Sequence, residues 1–294
     1  MSCYLCECDT SEPIQGKVRD NPNVLVRRCA DCGLVYLEKN IHEDDRYYEG
    51  NFYDDNLPEV TWEKLLALTK NDDERRFKLL EPLIPNKRYC DIGCGGGGIL
   101  LLGKRISQEV IGVEPEMRWR NQLLETGIKV HKSVDEIEDE SIDVVSIFHV
   151  VEHIANPIPF LKKVLSKIKQ NGQLIIEVPN SNDALVSIYN CRAFSEFTYW
   201  SSHIFIYNSF TLEKLLIKCG VNREAFTIKQ VQRYPISNHL RWLAEGLPGG
   251  HIEWSHLDSD ALNKAYAANL ASMGACDTIM AFVNILNPKK IDEY

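Results

Sequence analysis

A glycine-rich turn between a strand pattern and a helix pattern contains the first residues that could do chemistry. It reads Cys-Asp-Ile-Gly-Cys-Gly-Gly-Gly-Gly, and its glycines let the backbone turn sharply and approach a ligand closely. The helix behind it offers unpaired backbone N–H groups. Gly93, Gly95 and Gly98 have the spacing of a dinucleotide-binding turn. With Asp91 in front, the same turn also fits the pattern Asp-x-Gly-x-Gly-x-Gly.

The acidic residues around the turn distinguish between these two interpretations. Asp91 ends the strand, where its carboxylate would repel a pyrophosphate and attract the cationic α-amino group of S-adenosylmethionine. Glu114 ends the next strand pattern, and a carboxylate there can accept hydrogen bonds from both ribose hydroxyls of either cofactor. We therefore predict S-adenosylmethionine as the cofactor. The stretch resembles motif I of the class I S-adenosylmethionine-dependent methyltransferases.

Further motifs extend this resemblance from Tyr47 to about Gly220. They resemble the subfamily that includes ubiquinone-biosynthesis O-methyltransferases and many sugar methyltransferases. That subfamily shows a strand, an apolar-Glu-His tripeptide, an Asn/Asp-Pro pair, a helix, a glycine turn and a strand ending in Pro-Asn. A later element has a His, an aromatic residue, Thr-Leu and a helix ending in Gly. The matching residues are Val151-Glu152-His153, Asn156-Pro157, Asn171-Gly172, Pro179-Asn180 and the stretch that begins at His203.

The resemblance also implies which residues contact the cofactor. Open α/β sheets bind their ligands beyond the carboxyl ends of the strands, and the implied residues follow strand patterns. The predicted contacts are Asp91, Gly93, Gly95 and Glu114 with the cofactor as a whole, Ser133 and Val134 near the adenine, and Phe148 and His149 near the methionine and methyl group.

Two cysteine pairs near the N-terminus predict a metal site. Cys3 and Cys6 form one Cys-x-x-Cys pair, Cys29 and Cys32 form the other, and 22 residues separate the pairs. Four thiolates in two such pairs match tetrahedral zinc, with Zn–S bonds of about 2.3 Å. Cys8 is an alternative ligand to Cys6. Because four cysteines leave no open coordination position, we predict a structural zinc in a small ribbon.

Two histidines are candidates for the general base. Methyl transfer to a hydroxyl needs a group that removes the acceptor's proton, and a neutral imidazole serves near pH 7. His203 occupies the His position of the last motif, and His149 at the end of the fourth strand of the core is the alternative. A structural role for either histidine stays open. Relatives that methylate sugars often have a Glu before this His, whereas Ser202 stands here.

An acidic, tyrosine-rich segment at residues 41–57 precedes the core. Relatives often have tyrosines in a segment that covers the cofactor, so the resemblance implies a lid in which Tyr48 contacts the cofactor. A solvated linker is the alternative interpretation.

The elements that must position these residues alternate between strand and helix patterns from Pro58 onward. This alternation predicts a doubly wound, mostly parallel α/β sheet of seven strands, the last two forming an antiparallel pair. We expect a zinc ribbon at 1–40, the methyltransferase domain at 58–294, and a helical insertion at 235–275. We also predict that the helix after Asn156-Pro157 continues to Asn171-Gly172.

Composition excludes several classes of protein. The net charge of −9, with five Lys/Arg against six Asp/Glu in residues 1–40, argues against a nucleic-acid-binding surface. Neither a membrane-spanning run nor a signal-peptide pattern is present, so we expect a cytoplasmic protein whose ten cysteines stay reduced. The expected partner is a small-molecule acceptor, and the oligomeric state is left open.

Three functions fit these observations. The first is methylation of a hydroxyl or amine on a sugar, nucleotide-sugar or surface glycan. The second is O-methylation of an aromatic or quinone precursor. The third is a non-catalytic zinc-ribbon binding module whose Rossmann domain senses the cofactor. The choice of a sugar acceptor depends on the family resemblance, because a fold alone does not specify a substrate.

Overall fold

Two β-sheets organise the protein. The computed structural model describes residues 2–38 and 60–286 of the 294-residue chain. The strands in chain order are β1 (Ser11–Pro13), β2 (Val26–Cys29), β3 (Val35–Leu37), β4 (Arg88–Ile92), β5 (Glu109–Val113), β6 (Lys129–His131), β7 (Ile142–Phe148), β8 (Ile168–Pro179), β9 (Phe205–Ile206), β10 (Phe226–Val231) and β11 (Thr278–Asn284).

The helices lie between these strands in the described ranges. None of them is both long enough and apolar enough to cross a bilayer. In chain order they are α1 (Trp62–Leu80), α2 (Gly98–Gly103), α3 (Met117–Glu125), α4 (Pro157–Lys167), α5 (Ala184–Ser187), α6 (Arg192–Ser195), α7 (Ser209–Lys218), α8 (Ile236–Glu245), α9 (Gly250–Glu253) and α10 (Asp260–Ser272).

The larger sheet has seven strands in the order β10-β11-β8-β7-β4-β5-β6. The pairs among β4 to β8 are parallel, whereas β11 runs antiparallel to both of its neighbours. The central strand β7 is a nearly continuous apolar run and is buried along its length, as expected for a strand covered on both faces. The predicted doubly wound, mostly parallel seven-stranded fold is confirmed.

The prediction for the end of α4 is wrong. The helix stops at Lys167, and β8 begins at Ile168 instead of after Gly172. Ile168 is buried and pairs with Ile142 of β7, while the backbone N–H of Asn171 donates to the Ile285 carbonyl at 2.8 Å. Pairing with two neighbouring strands therefore outweighs the helical pattern of this stretch.

The smaller sheet joins the N-terminal residues to the core. Its order is β1-β2-β3-β9, and β9 comes from the segment that follows α6. Val35 of β3 pairs with Ile206 of β9. Cys3 and Leu34 belong to the same buried cluster as Leu161 of α4. The N-terminal residues thus share a hydrophobic core with the larger sheet.

Helices α8, α9 and α10 lie between β10 and β11 in the chain. Trp242 of α8 is buried, and its ring centroid lies 5.2 Å from that of Phe194 and 4.9 Å from that of Phe197. These contacts dock the helical segment on the stretch that follows β8. The two segments enclose a cavity beside the carboxyl ends of β7 and β8.

Candidate active site

The carboxyl ends of β4 to β7 bring the predicted cofactor residues to one edge of the sheet. Ile92 pairs with Val113 and with Ile147, and Val113 pairs with His131. The residues that follow each strand are therefore neighbours at this edge. They are Asp91, Gly93 and Gly95 after or at the end of β4, Glu114 after β5, Ser133 and Val134 after β6, and Phe148 and His149 at the end of β7. Tyr48 lies outside the described residues.

Asp91 is a buried carboxylate held by a relay of hydroxyl groups. The Tyr89 hydroxyl lies 2.7 Å from Ser146 Oγ, and Ser146 Oγ donates to Asp91 Oδ1. Burial raises the pKa of Asp91 to about 7, although the Ser146 hydrogen bond and the charge of Arg76 oppose the shift. A cationic group beside Asp91 would offset the cost of its buried negative charge.

Glu114 fixes the conformation of the glycine turn. Its Oε2 accepts a hydrogen bond from the backbone N–H of Gly95, and its Oε1 accepts one from that of Glu116, both at 2.8 Å. Burial raises the pKa of Glu114, and these two hydrogen bonds oppose the shift. Each carboxylate oxygen keeps a second lone pair that can accept from a ligand hydroxyl.

The backbone conformation of the turn and the atoms packed against it require glycine at Gly93. Gly93 has φ +72°, and a Cβ there would lie 2.3 Å from Val150 Cγ2. Gly95 has φ +51°, but a Cβ there would meet no atom within 4 Å. Trp62 Nε1 donates to the Gly96 carbonyl at 2.9 Å and ties the turn to α1. The space in front of Gly95 is thus left open for a ligand that approaches the backbone closely.

A cavity of about 320 Å³ lies next to this edge. Aromatic faces and polar side chains line it together, an arrangement that suits a small polar ligand with a ring. The aromatic residues are Phe194, Phe197, Tyr199, Trp200, Tyr234 and Trp242. The titratable residues are His149, Asp183, His203, Arg233, Tyr234, His239, His251, Asp277 and Tyr199.

His203 lines the cavity as a neutral imidazole. Burial, followed by the charge of His153, lowers the pKa of His203 to about 3. Its ring centroid lies 4.8 Å from that of His153, whose Nδ1 is 2.9 Å from the Ser202 carbonyl oxygen. Glu152, His153 and His203 each place a nitrogen or oxygen within 4.8 Å of the others. A buried carboxylate, Glu152, therefore stands near His203 although Ser202 precedes it in the chain.

His149 is held by carboxylates on both sides. Its Nδ1 lies 3.1 Å from Glu152 Oε1, and its Nε2 lies 3.2 Å from Glu177 Oε1. Its backbone adopts φ +54°, which is rare for a residue with a side chain, and its N–H donates to the Glu177 carbonyl at 2.8 Å. These contacts fix the ring and occupy both nitrogens, so His149 is less suited than His203 to take a proton from an acceptor.

Comparison with known proteins agrees with this geometry. The family model described as a methyltransferase domain matches residues 66–223, more than half of the chain. The chain belongs to the methyltransferase domain family. The match covers the strands from β4 to β9, including the glycine turn and both candidate histidines. The predicted resemblance to class I S-adenosylmethionine-dependent methyltransferases is thereby confirmed at the level of the family and the fold.

Individual relatives of this methyltransferase domain are distant. The ubiquinone biosynthesis O-methyltransferase of Photobacterium profundum is 28% identical over 106 residues, which cover 33% of this chain and 45% of that protein. The enzyme of the same name from Bradyrhizobium diazoefficiens is 32% identical over 103 residues, covering 32% and 41%. The chain thus spans less than half the length of these curated relatives.

A solved structure shares the fold. A chain in the complex between the Haloferax volcanii Trm112 methyltransferase activator and a methyltransferase is 11% identical, with a TM-score of 0.50. The similarity covers 79% of this chain and all of that one. At this identity, the similarity shows the fold alone.

A network of buried charges lies beside the candidate site. The sequence signals it only by a Glu inside the apolar run of β8. Glu177 is 0% exposed and receives hydrogen bonds from Arg75 Nη2 at 2.7 Å and from Arg76 Nε at 3.2 Å. Burial raises its pKa, but His149 and the two arginines outweigh this effect and hold the pKa well below its ordinary value. Glu177 is therefore an anion that anchors α1 and His149.

Arg233 closes the same network from the segment after β10. It forms a two-point ion pair with Asp72 of α1, with Nε 3.1 Å from Oδ1, and its Nη1 lies 3.2 Å from His149 Nε2. Burial would raise the pKa of Asp72, but the charge and hydrogen bonds of Arg233 lower it to about 2. Helix α1 is thus tied to β8 through Glu177 and to the segment after β10 through Arg233.

Asp183 is a further titratable group of the cavity that no motif marks. It caps α5, with Oδ1 accepting from the Leu185 N–H at 2.7 Å. Burial and then the negative charge of Asp277 raise the pKa of Asp183 to about 8. Near neutral pH its carboxyl group carries a proton and can donate a hydrogen bond.

The four predicted metal ligands lie together. The sulfurs of Cys3, Cys6, Cys29 and Cys32 all fall within 4.8 Å of one another. Cys3 Sγ is 3.6 Å from Cys32 Sγ, and Cys6 Sγ is 3.4 Å from Cys29 Sγ. A tetrahedral zinc with Zn–S bonds of about 2.3 Å would separate its sulfurs by about 3.8 Å, so the residues fit this metal. Cys8 is not in the cluster, since its sulfur contacts Thr10 Oγ1 at 3.1 Å.

Proposed function

We propose that this protein transfers a methyl group from S-adenosylmethionine to a hydroxyl or amine of a sugar, nucleotide-sugar or surface glycan. The juxtaposition of two half-sites supports the proposal. The acidic glycine turn after β4 and the aromatic, polar cavity beside β8 lie at the same edge of the sheet, and the end of β7, where His149 lines the cavity, lies between them. A donor on one side and an acceptor on the other could therefore meet in line.

The proposed cofactor site assigns a role to each residue. When bound, S-adenosylmethionine supplies an electrophilic methyl group on a sulfonium. Asp91 would hold its α-amino group, and Glu114 would accept hydrogen bonds from its ribose hydroxyls. The open space at Gly95 would let the cofactor approach the protein backbone closely. Ser133 and Val134 would lie beside the adenine, and Phe148 and His149 beside the methionine.

The proposed acceptor site uses His203 as the general base. Because its pKa is lowered to about 3, its imidazole is unprotonated at neutral pH and has a free lone pair, but it is also a weak base, so proton transfer would require stabilisation of the imidazolium. The imidazolium that forms would lie near the buried carboxylate of Glu152, which favours it electrostatically. His149, fixed by two carboxylates, would orient the acceptor and the cofactor.

We propose further that the cysteine cluster holds one structural zinc. The zinc would hold the N-terminal turns of the chain together. Four sulfur ligands complete a tetrahedral site, so the metal would have no position for a substrate.

Methylation of an aromatic or quinone precursor is the alternative acceptor class. The names of the curated relatives favour it weakly, since each aligns over about a third of this chain. Radiolabelled S-adenosylmethionine with panels of nucleotide-sugars, free sugars and catechol-type precursors separates the possibilities. Label in a sugar supports the proposal, and label in a catechol supports the alternative. Cofactor binding without transfer of label to these compounds or to any compound in cell extracts indicates a sensing module.

The affinity for S-adenosylhomocysteine should depend on pH through Asp91. With the pKa of its carboxyl group at about 7, the ionised form that binds the ammonium predominates only above pH 7. Below pH 7 one proton must leave on binding, so affinity should fall by up to about tenfold per pH unit. Calorimetry between pH 5.5 and 8 measures this slope. An affinity that is constant over this range, or an equal slope in Asp91→Asn, would contradict the assignment.

Replacement of Glu114 by alanine should weaken S-adenosylhomocysteine binding. The variant loses two charge-assisted hydrogen bonds to the ribose and the support of the Gly95 N–H, a loss on the order of 2–4 kcal/mol. Glu109→Ala is the matched control, because Glu109 pairs with Arg88 at the opposite end of β5. Calorimetry on both variants, with thermal unfolding to confirm folding, tests this. Wild-type affinity in a folded Glu114→Ala protein would exclude the role.

A further inference from the structure

The N-terminal residues pack against the stretch that lines the acceptor cavity. Val18 forms a bridge with Tyr199, and the Arg19 N–H donates to the Tyr199 carbonyl at 2.9 Å. Asp20 accepts from the backbone N–H of Ser201 at 2.9 Å and from its hydroxyl. A run of backbone and side-chain contacts therefore fixes Arg19 against the cavity-lining stretch around Tyr199 and Trp200.

The guanidinium of Arg19 is stacked on two aromatic residues of the cavity. Its Cζ lies 3.3 Å from the ring centroid of Trp200 and 4.4 Å from that of Phe197. Both rings line the cavity and are about one-third exposed. Stacking engages the faces of the guanidinium, whereas its five N–H donors lie in the plane and point outward from its edge. The stacked cation thus keeps its hydrogen-bonding edge for another group.

Within residues 2–38 and 60–286 the guanidinium of Arg19 has no ion-pair partner within 4 Å, although the charge of the neighbouring Asp20 acts on it. The neighbouring Asp20 directs its oxygens to Ser201, and Arg19 forms no ion pair in the described ranges. Burial lowers the pKa of Arg19 to about 10 although the charge of Asp20 opposes the shift, and Arg19 stays charged at neutral pH. The charge of Arg19 also contributes to lowering the pKa of His203 inside the cavity. A partly buried positive charge that forms no ion pair in the described ranges thus acts on the acceptor site.

We infer that Arg19 is an anion-binding subsite at the rim of the acceptor cavity, and that the acceptor carries a phosphate or carboxylate group. This inference depends on the proposed function for the identity of the cavity as the acceptor site. The planar fork of Arg19 would bind two anionic oxygens, while Trp200 and Phe197 present ring faces to the adjoining part of the ligand. Phosphate would come from a nucleotide-sugar and carboxylate from a uronic acid.

Binding measurements without methyl transfer test the inference. The probes are uridine diphosphate and glucuronate, titrated calorimetrically into wild-type protein, Arg19→Gln and Arg223→Gln. Arg223 is the matched control, because it pairs with Glu213 before β10 begins and lies at the end of that strand away from Arg233. We expect at least one probe to bind the wild type and Arg223→Gln equally, and to bind Arg19→Gln about 10- to 100-fold more weakly.

The two probes distinguish the source of the anion. Arg19-dependent binding of uridine diphosphate indicates a phosphate-bearing acceptor, and Arg19-dependent binding of glucuronate indicates a carboxylate. Arg19→Lys should recover part of the affinity by charge alone, since lysine lacks the planar fork. Equal affinity of each probe for wild type and Arg19→Gln, or no binding of either probe at 10 mM, would overturn the inference. Binding of S-adenosylhomocysteine is measured in parallel. If the wild-type protein does not bind S-adenosylhomocysteine, the proposed function fails and not only this inference.

Discussion

Cys29→Ser protein should be purified without stoichiometric zinc and with an unfolded N-terminal sheet. The sulfur of Cys29 belongs to the four-cysteine cluster, and its backbone ends β2. Binding of a structural zinc contributes roughly 10–16 kcal/mol in small zinc units, which is comparable to the total stability of a domain. Elemental analysis measures the zinc, and hydrogen exchange over residues 2–38 measures the order of this sheet.

The loss of zinc should also reduce methyl transfer. β3 pairs with β9, and the segment around Val18 holds Tyr199, so His203 lies between two stretches that the N-terminal residues support. Cys8→Ser is the matched control and should retain both zinc and activity, because its sulfur contacts Thr10 outside the cluster. A wild-type protein that is free of metal yet protected in residues 2–38 would refute the zinc assignment.

Replacement of His203 by asparagine should lower turnover by roughly 10²- to 10⁴-fold, the usual contribution of a general base. Asparagine keeps the polarity of the site but cannot take up the acceptor's proton. Since His203 contacts the cavity and not the glycine turn, affinity for S-adenosylhomocysteine should stay within about twofold of wild type. Single-turnover kinetics with an identified acceptor measure the effect.

Two comparisons make the His203 test specific. His256→Asn is the control, because His256 is exposed and lies outside the cavity lining, and it should turn over normally. His149→Asn breaks contacts to Glu152 and Glu177, so it should impair both stability and acceptor positioning. With a pKa of about 3, His203 is unprotonated from pH 5 upward, so its own titration should not limit turnover there. Near-wild-type turnover of His203→Asn with intact cofactor binding would assign the proton transfer to another group.

Local patterns in the sequence determine the fold of the core. The apolar run of β7 and the alternation of strand and helix patterns are short-range features, and the family match and the topology confirm the fold that they predict. The glycine turn is similarly local, because Gly93 needs a positive φ and a position without a side chain. The spacing of the cysteine pairs predicts four sulfurs that the structure does place together.

Contacts between distant parts of the chain were decided only by the tertiary structure. Glu177 is conspicuous in the apolar run of β8, but its partners Arg75 and Arg76 lie about a hundred residues away in α1, a helix rich in charged residues. Helix α4 ends where the following residues pair with β7 and with Ile285, and the helical pattern of the sequence contains no information about these partners. Arg19, in a segment with an ordinary balance of charges, stacks on the cavity-lining Trp200 because Val18 pairs with Tyr199.

The physical reason for this division is the range of the interactions. Hydrophobic periodicity and glycine conformations act within a few residues, so the sequence by itself specifies strands, helices and the turn that they frame. Burial of a charge is favourable only when a partner arrives, and that partner comes from wherever the packed core brings another element. For this reason the sequence determined the methyltransferase fold and the candidates for the cofactor site. Only the tertiary structure decided that His149 lies between Glu152 and Glu177, that His203 faces the cavity, and that the N-terminal residues pack against the stretch that lines it.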